Sequence, residues 1–142
     1  MPREQWASTT EFSMNLMDGD PNVRGTAVEG LISRQGSASL ENVLATLKDN
    51  DDSVRFRTLY KANYAGIQIP DDTLLSLVRE DGSPDVRGMA LKILADRPNI
   101  GKQHLTEIAR NSLGDTDPTV RDVAEEVLSQ LSTPVDSIEY GE

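Results

Sequence analysis

Asp18-Gly19-Asp20-Pro21-Asn22-Val23-Arg24 runs into a stretch with small and apolar residues at helical offsets, and the arrangement returns three times. The later copies are Asp49-Asn50-Asp51-Asp52-Ser53-Val54-Arg55, Asp81-Gly82-Ser83-Pro84-Asp85-Val86-Arg87 and Asp115-Thr116-Asp117-Pro118-Thr119-Val120-Arg121. Their valines step by 31, 32 and 34 residues. A period in this range denotes stacked supersecondary units, each too small to bury its own apolar face.

Each aspartate turn lies between two stretches of helical periodicity, so the repeat reads as a first helix, a short turn, a second helix and a longer loop. Asp20 is placed to cap the second helix with a side-chain oxygen, and Pro21 takes the first helical position, where its missing N–H costs nothing. Asp117 with Pro118 repeats this, Ser83 with Pro84 varies it, and Asp51 with Asp52 does without the proline. The expected helices are 9–17, 21–34, 39–48, 52–64, 71–79, 84–95, 102–113 and 118–131, grouped into repeats at about 9–35, 39–65, 71–97 and 102–131. Together they form one domain, 1–131, followed by an acidic tail at 132–142.

Within each second helix the positions 0, 4, 5 and 8 residues from the valine share one face. They read Val23-Ala27-Val28-Leu31, Val54-Thr58-Leu59-Ala62, Val86-Ala90-Leu91-Leu94 and Val120-Ala124-Glu125-Leu128, a buried stripe interrupted at Thr58 and Glu125. Glu125 falls in the last repeat, where a polar outer face is expected.

Composition narrows the function. There are 24 acidic and 14 basic residues, a formal charge of -10, which repels phosphate backbones and argues against nucleic acid as a partner. With no cysteine and one histidine, His104, thiolate metal sites, histidine clusters and Cys–His dyads are excluded. No Gly-x-Ser-x-Gly, phosphate-cradling glycine loop or dinucleotide fingerprint is present. The start Met1-Pro2-Arg3-Glu4-Gln5-Trp6-Ala7 lacks a secretory pattern, and no apolar stretch nears the roughly 20 residues of a membrane span, so no membrane role and a cytoplasmic location are expected.

The pairs Asp18-x-Asp20, Asp49-x-Asp51 and Asp115-x-Asp117 begin like calcium loops, and Glu29 and Glu126 stand at the twelfth position of two of them. The sixth position, where a calcium loop bends at glycine, holds Val23, Val54 and Val120, which favours helix capping over an ion. No metal, cofactor or catalytic residue is assigned.

The pattern Asp-x-Asp-Pro-x-Val-Arg-x-x-Ala-x-x-x-Leu, met in 18–31 and again in 115–128, resembles the HEAT repeat, in the short variety first associated with phycobilisome lyases. The resemblance covers about 11–131. It implies an all-α fold, an α-solenoid coiled as a right-handed superhelix of about four helix-turn-helix repeats, with the second helices on the concave side. It also implies a polar ladder in which Arg24, Arg55, Arg87 and Arg121 pair with turn aspartates of their own or adjoining repeats, Asp20, Asp51 and Asp117 among them. The family's usual work, as adaptor or scaffold, is non-enzymatic.

One departure from the repeat pattern stands out. Phe56, Tyr60 and Tyr64 recur every four residues on the second helix of the second repeat and make up half of the chain's six aromatics. On a helical wheel they point about 180° away from the centre of the buried stripe, with Arg57 and Lys61 beside them. Rings with one wet end and arginine are favoured contact residues, so these five are the candidate binding surface for another protein, with a basic segment as the candidate target. The competing reading has the rings cover Gly25 and Gly88 as packing. Two other functions fit the same features: a lyase-like or chaperone-like accessory handling a pigment or cofactor on another protein, and a structural segment of a larger assembly, against which the polar C-terminal end at Glu125 and the acidic tail weigh, while Trp6 and Phe12 leave the N-terminal end sticky. The oligomeric state is not legible from the sequence.

Overall fold

Ser8 opens the first helix with a reciprocal cap. Its hydroxyl accepts the Glu11 amide at 3.2 Å and the Glu11 carboxylate accepts the Ser8 amide at 3.0 Å, satisfying two donors at the helix start. A computed structural model describes residues 8–132. Among them eight α-helices follow one another: α1 Thr9–Asn15, α2 Pro21–Gln35, α3 Leu40–Thr46, α4 Asp52–Tyr64, α5 Asp71–Glu80, α6 Pro84–Ala95, α7 Lys102–Ser112 and α8 Pro118–Ser132. No strand occurs among the described residues, and the fold is all-α. Trp6, and the expected acidic tail beyond Ser132, lie outside the described residues.

The bounds of α4 and α6 are those read from the sequence, where the Asp51 cap marks the start of α4 and Pro84 the start of α6. The largest difference is at α3, expected from residue 39 to 48. Gly36, at φ 53°, ends α2, and the Ser39 hydroxyl donates to the Gly36 carbonyl at 2.6 Å, so Gly36–Ser39 winds as a tight 3-10 turn before α3 begins. At the far end the amides of Lys48 and Asp49 bond back only three residues, to Ala45 and Thr46, and close α3 early.

The chain divides into two compact units, residues 1–70 and 71–142. In the first, α2 packs along α4, α1 lies against α2, and α3 bridges α2 and α4. In the second, α6 packs along α8, α5 against α6, and α7 against α8. Each unit is thus two helix pairs stacked through their second helices, the arrangement of an α-solenoid.

The stripe explains this stacking. In α4 and α6 all eight of its residues are buried, Thr58 included, whose hydroxyl donates to the Val54 carbonyl at 2.7 Å and so enters the core satisfied. Three positions depart from full burial. Glu125 is exposed, and Val23 and Leu128 are half-buried; all three belong to the first and last repeats.

Candidate functional site

The four aspartate turns are built alike. In each, the carboxylate of the leading aspartate accepts the amide two residues on, at 2.9 Å, from Asp18 to Asp20, Asp49 to Asp51, Asp81 to Ser83 and Asp115 to Asp117. Its carbonyl accepts Nη1 of the arginine six residues on, at 2.8 Å, from Arg24, Arg55, Arg87 and Arg121 in turn. The repeated motif is therefore a folding unit: the first aspartate bends the chain, the second, present in all but the Asp81 turn, caps the helix, and the arginine ties the helix back to the turn.

Within each unit an arginine also reaches the next turn. Arg24 grips Asp49 through Nε at 2.8 Å and Nη2 at 3.0 Å, and Arg87 grips Asp115 through the same atoms at 2.8 Å each. The ladder partners are thus the leading aspartates, not Asp20, Asp51 or Asp117. The carboxylates of those three accept helix amides instead, from Asn22, from Ser53 and Val54, and from Thr119, which directs them at the helix start rather than at a neighbouring arginine. Ser83 makes no side-chain cap; it is buried, and Pro84 follows it at the first helical position.

The electrostatics follow the geometry. Burial pushes the Asp49 carboxyl up, but hydrogen bonds from Arg24 and the Asp51 amide outweigh it, leaving the group below its ordinary range. The Arg87 guanidinium holds Asp115 below its ordinary range in the same way, against burial. Asp51 is lowered by the Ser53 hydroxyl and the amides of Ser53 and Val54.

On α4 the other face carries the rings. Phe56 is half-buried and stacks on Tyr60 with ring centroids 6.3 Å apart and planes 17° from parallel. Tyr60 is 57% exposed and Tyr64 80% exposed. The side chain of Lys61, half-buried, makes no hydrogen bond or ion pair with the described residues. Arg57 differs from the sequence expectation of a free contact residue. It is bound to Glu29 of α2 by Nε at 3.1 Å and Nη2 at 2.7 Å and to the Thr26 hydroxyl at 3.1 Å. Its guanidinium lies on Gly25, where a Cβ would come within 2.5 Å of Nη1. At Gly25 an arginine, not a ring, covers the backbone, while Gly88 faces Val123 of α8.

The Arg57–Glu29 bridge was missed from the sequence, although the repeat register held the signal: Glu29 is six residues after its valine and Arg57 three after the next. The link from Arg97 to Asp71, 3.0 Å, was missed too, since neither residue belongs to the repeated motif. His104 is exposed on α7. Among the described residues no group of three or more His, Cys, Asp or Glu side chains could hold a metal ion, and no helix is long and apolar enough to cross a membrane.

Residues 72–139 match the family model for HEAT repeats. The match is to the repeat in general and does not single out the lyase-type variety. No curated protein and no solved structure is significantly similar to the chain. The first unit repeats the turn and the arginine grip of the matched segment, with Nε, Nη1 and Nη2 of Arg24 and Arg87 bonding the same atoms of the corresponding aspartates.

Proposed function

We propose that this HEAT-repeat protein is a non-enzymatic, cytoplasmic interaction module that binds another protein through the outer-facing rings of α4, on the side the family places on the concave surface. The observation that carries the reading is the exposure of Tyr60 and Tyr64 beside a Phe56–Tyr60 stack. Rings held in line on a helix lose little entropy on binding and offer a large area to cover, which suits a protein segment laid across them. HEAT repeats in general mediate protein–protein interaction.

Charge shapes the partner. Arg57 and Lys61, four residues apart, stand on the same flank of the rings and Glu29 pairs with the first of them, while the rings themselves offer an apolar surface to the segment laid on them. Basic residues flanking that segment are the finer part of the proposal: the chain's acidic excess speeds encounter with positive charge and disfavours nucleic acid.

Capture from extract of the native host, with wild type against Tyr60→Ala/Tyr64→Ala, tests this. A stoichiometric protein held by the wild type and lost from the variant, with the melting temperature unchanged, is the expected result. Equal capture by both proteins overturns it. Visible absorbance on wild-type protein purified from its host, lost in the variant, would instead favour the accessory handling a pigment or cofactor.

A further inference from the structure

The two ends of the repeat series carry complementary halves of the contact that joins repeats internally. Inside the units the contact has a polar and an apolar part. The polar part is the two-point grip of Arg24 on Asp49 and of Arg87 on Asp115, with all four side chains at most 15% exposed. The apolar part seals the leucine eight residues after one valine, Leu31 or Leu94, and the next valine, Val54 or Val120, all essentially inaccessible.

At the α8 end the arginine half is unmet. The Arg121 side chain donates to its own turn at the Asp115 carbonyl and makes no other hydrogen bond or ion pair with the described residues. Leu128, the counterpart of Leu31 and Leu94, is half-exposed and lines an open groove of about 670 Å³ with Leu113 and Leu131. At the α1–α2 end the aspartate half is unmet. Asp18 accepts the Asp20 amide, is exposed, and has no arginine from another repeat among the described residues. Val23, the counterpart of Val54 and Val120, is half-exposed in a cleft of about 250 Å³ with Phe12 and Ala27.

We propose that the chain associates with itself head to tail, the α8 end of one copy receiving the α1–α2 end of the next, with Arg121 of the first gripping Asp18 of the second. The joint reproduces the internal repeat step between molecules, so the occupant is a second copy of this chain. It uses neither Tyr60 nor Tyr64 and stands independently of the reading above. Being heterologous, it builds open rows or a ring rather than a two-fold dimer. Glu125 sits where Val28, Leu59 and Leu91 are buried, and places a charge in the joint. The association is therefore weaker than the internal step and depends on concentration.

Sedimentation velocity on the full chain over a wide concentration series at low salt tests the proposal. Wild type is expected to associate, and Arg121→Asp or Asp18→Arg alone to lose about tenfold or more in association constant, because each sets like charges against each other. Mixing the two variants restores association, since the carboxylate introduced in one then meets the guanidinium introduced in the other. Glu125→Leu strengthens association without touching the charge pair, which keeps the test decisive should a charge reversal disturb folding. Wild type that remains monomeric throughout, folded variants that associate as wild type does, failure of the mixture to recover, or no gain from Glu125→Leu overturns the proposal.

Discussion

Arg87 holds Asp115 with two parallel hydrogen bonds, each 2.8 Å, while its third nitrogen bonds the carbonyl of Asp81. One side chain thus fixes its own turn and the next. With the Arg87 and Asp115 side chains 12% and 11% exposed, removal of the arginine strands a carboxylate away from water. Arg87→Ala is expected to destabilise by about 2–3 kcal/mol, and Arg87→Lys by more than half as much, because an ammonium cannot make the two-point grip. Urea titration followed by circular dichroism measures both.

The same contacts give stability a pH dependence. Asp49, Asp51 and Asp115 all have folded-state pKa values below their unfolded ones. Groups lowered in this way contribute stability that is present in full above the unfolded pKa, near about 4, and is lost as pH falls through the folded value. The melting temperature should therefore hold from neutral pH to about 5 and drop steeply below about 4. Asp49→Asn/Asp115→Asn, less stable at neutral pH, should show a shallower fall. An acid limb as steep as wild type would place the linkage elsewhere.

Much of this was written in the chain, and what was not has physical reasons. Caps at Asp20, Asp51 and Asp117 were readable because a short side chain before a helical run has one use there. Which aspartate of each turn meets the arginine was not readable by proximity, since both stand within a few residues of it. Occupancy does not decide it, because capping and leading carboxylates alike give only Oδ1 to amides; it depends on where the neighbouring repeat's arginine arrives, which is at Asp49 and Asp115. The outward direction of Tyr60 and Tyr64 followed from helical rotation alone. The tethering of Arg57 did not, because it depends on the offset between neighbouring repeats, which rotation within one helix does not contain.

Two glycines of α2 differ in what lies on them, and alanine should separate them. A Cβ at Gly30 would stand 2.2 Å from Cζ of Phe12 and within 2.6 Å of two more ring carbons, so the ring, which also lies under Arg34 at 5.7 Å, must leave. Phe12 anchors α1, and Gly30→Ala should cost about 1–3 kcal/mol and expose α1 amides to hydrogen exchange. At Gly25 the obstacle is the far end of Arg57, which can swing aside. Gly25→Ala trades a half-exposed ion pair, worth about 0–1 kcal/mol, for a gain in helix propensity of about 1 kcal/mol, and should be close to neutral.

The aromatic row predicts a graded response along α4. Tyr64, 80% exposed, leaves most of its surface in water, so Tyr64→Ala should change stability by no more than about 0.5 kcal/mol, and Tyr60→Ala, at a residue 57% exposed but stacked on Phe56, by no more than about 1 kcal/mol. Phe56 is half-buried and supports the Tyr60 ring at 6.3 Å, so Phe56→Ala removes both its own burial and the stack and should cost about 1–2 kcal/mol. Chemical denaturation of the three single variants reads the order directly. A cost at Tyr64 equal to that at Phe56 would make the row part of the core and remove the ground for a binding surface there. The expected gradient leaves the two tyrosines free to meet another molecule at almost no expense to the fold that presents them.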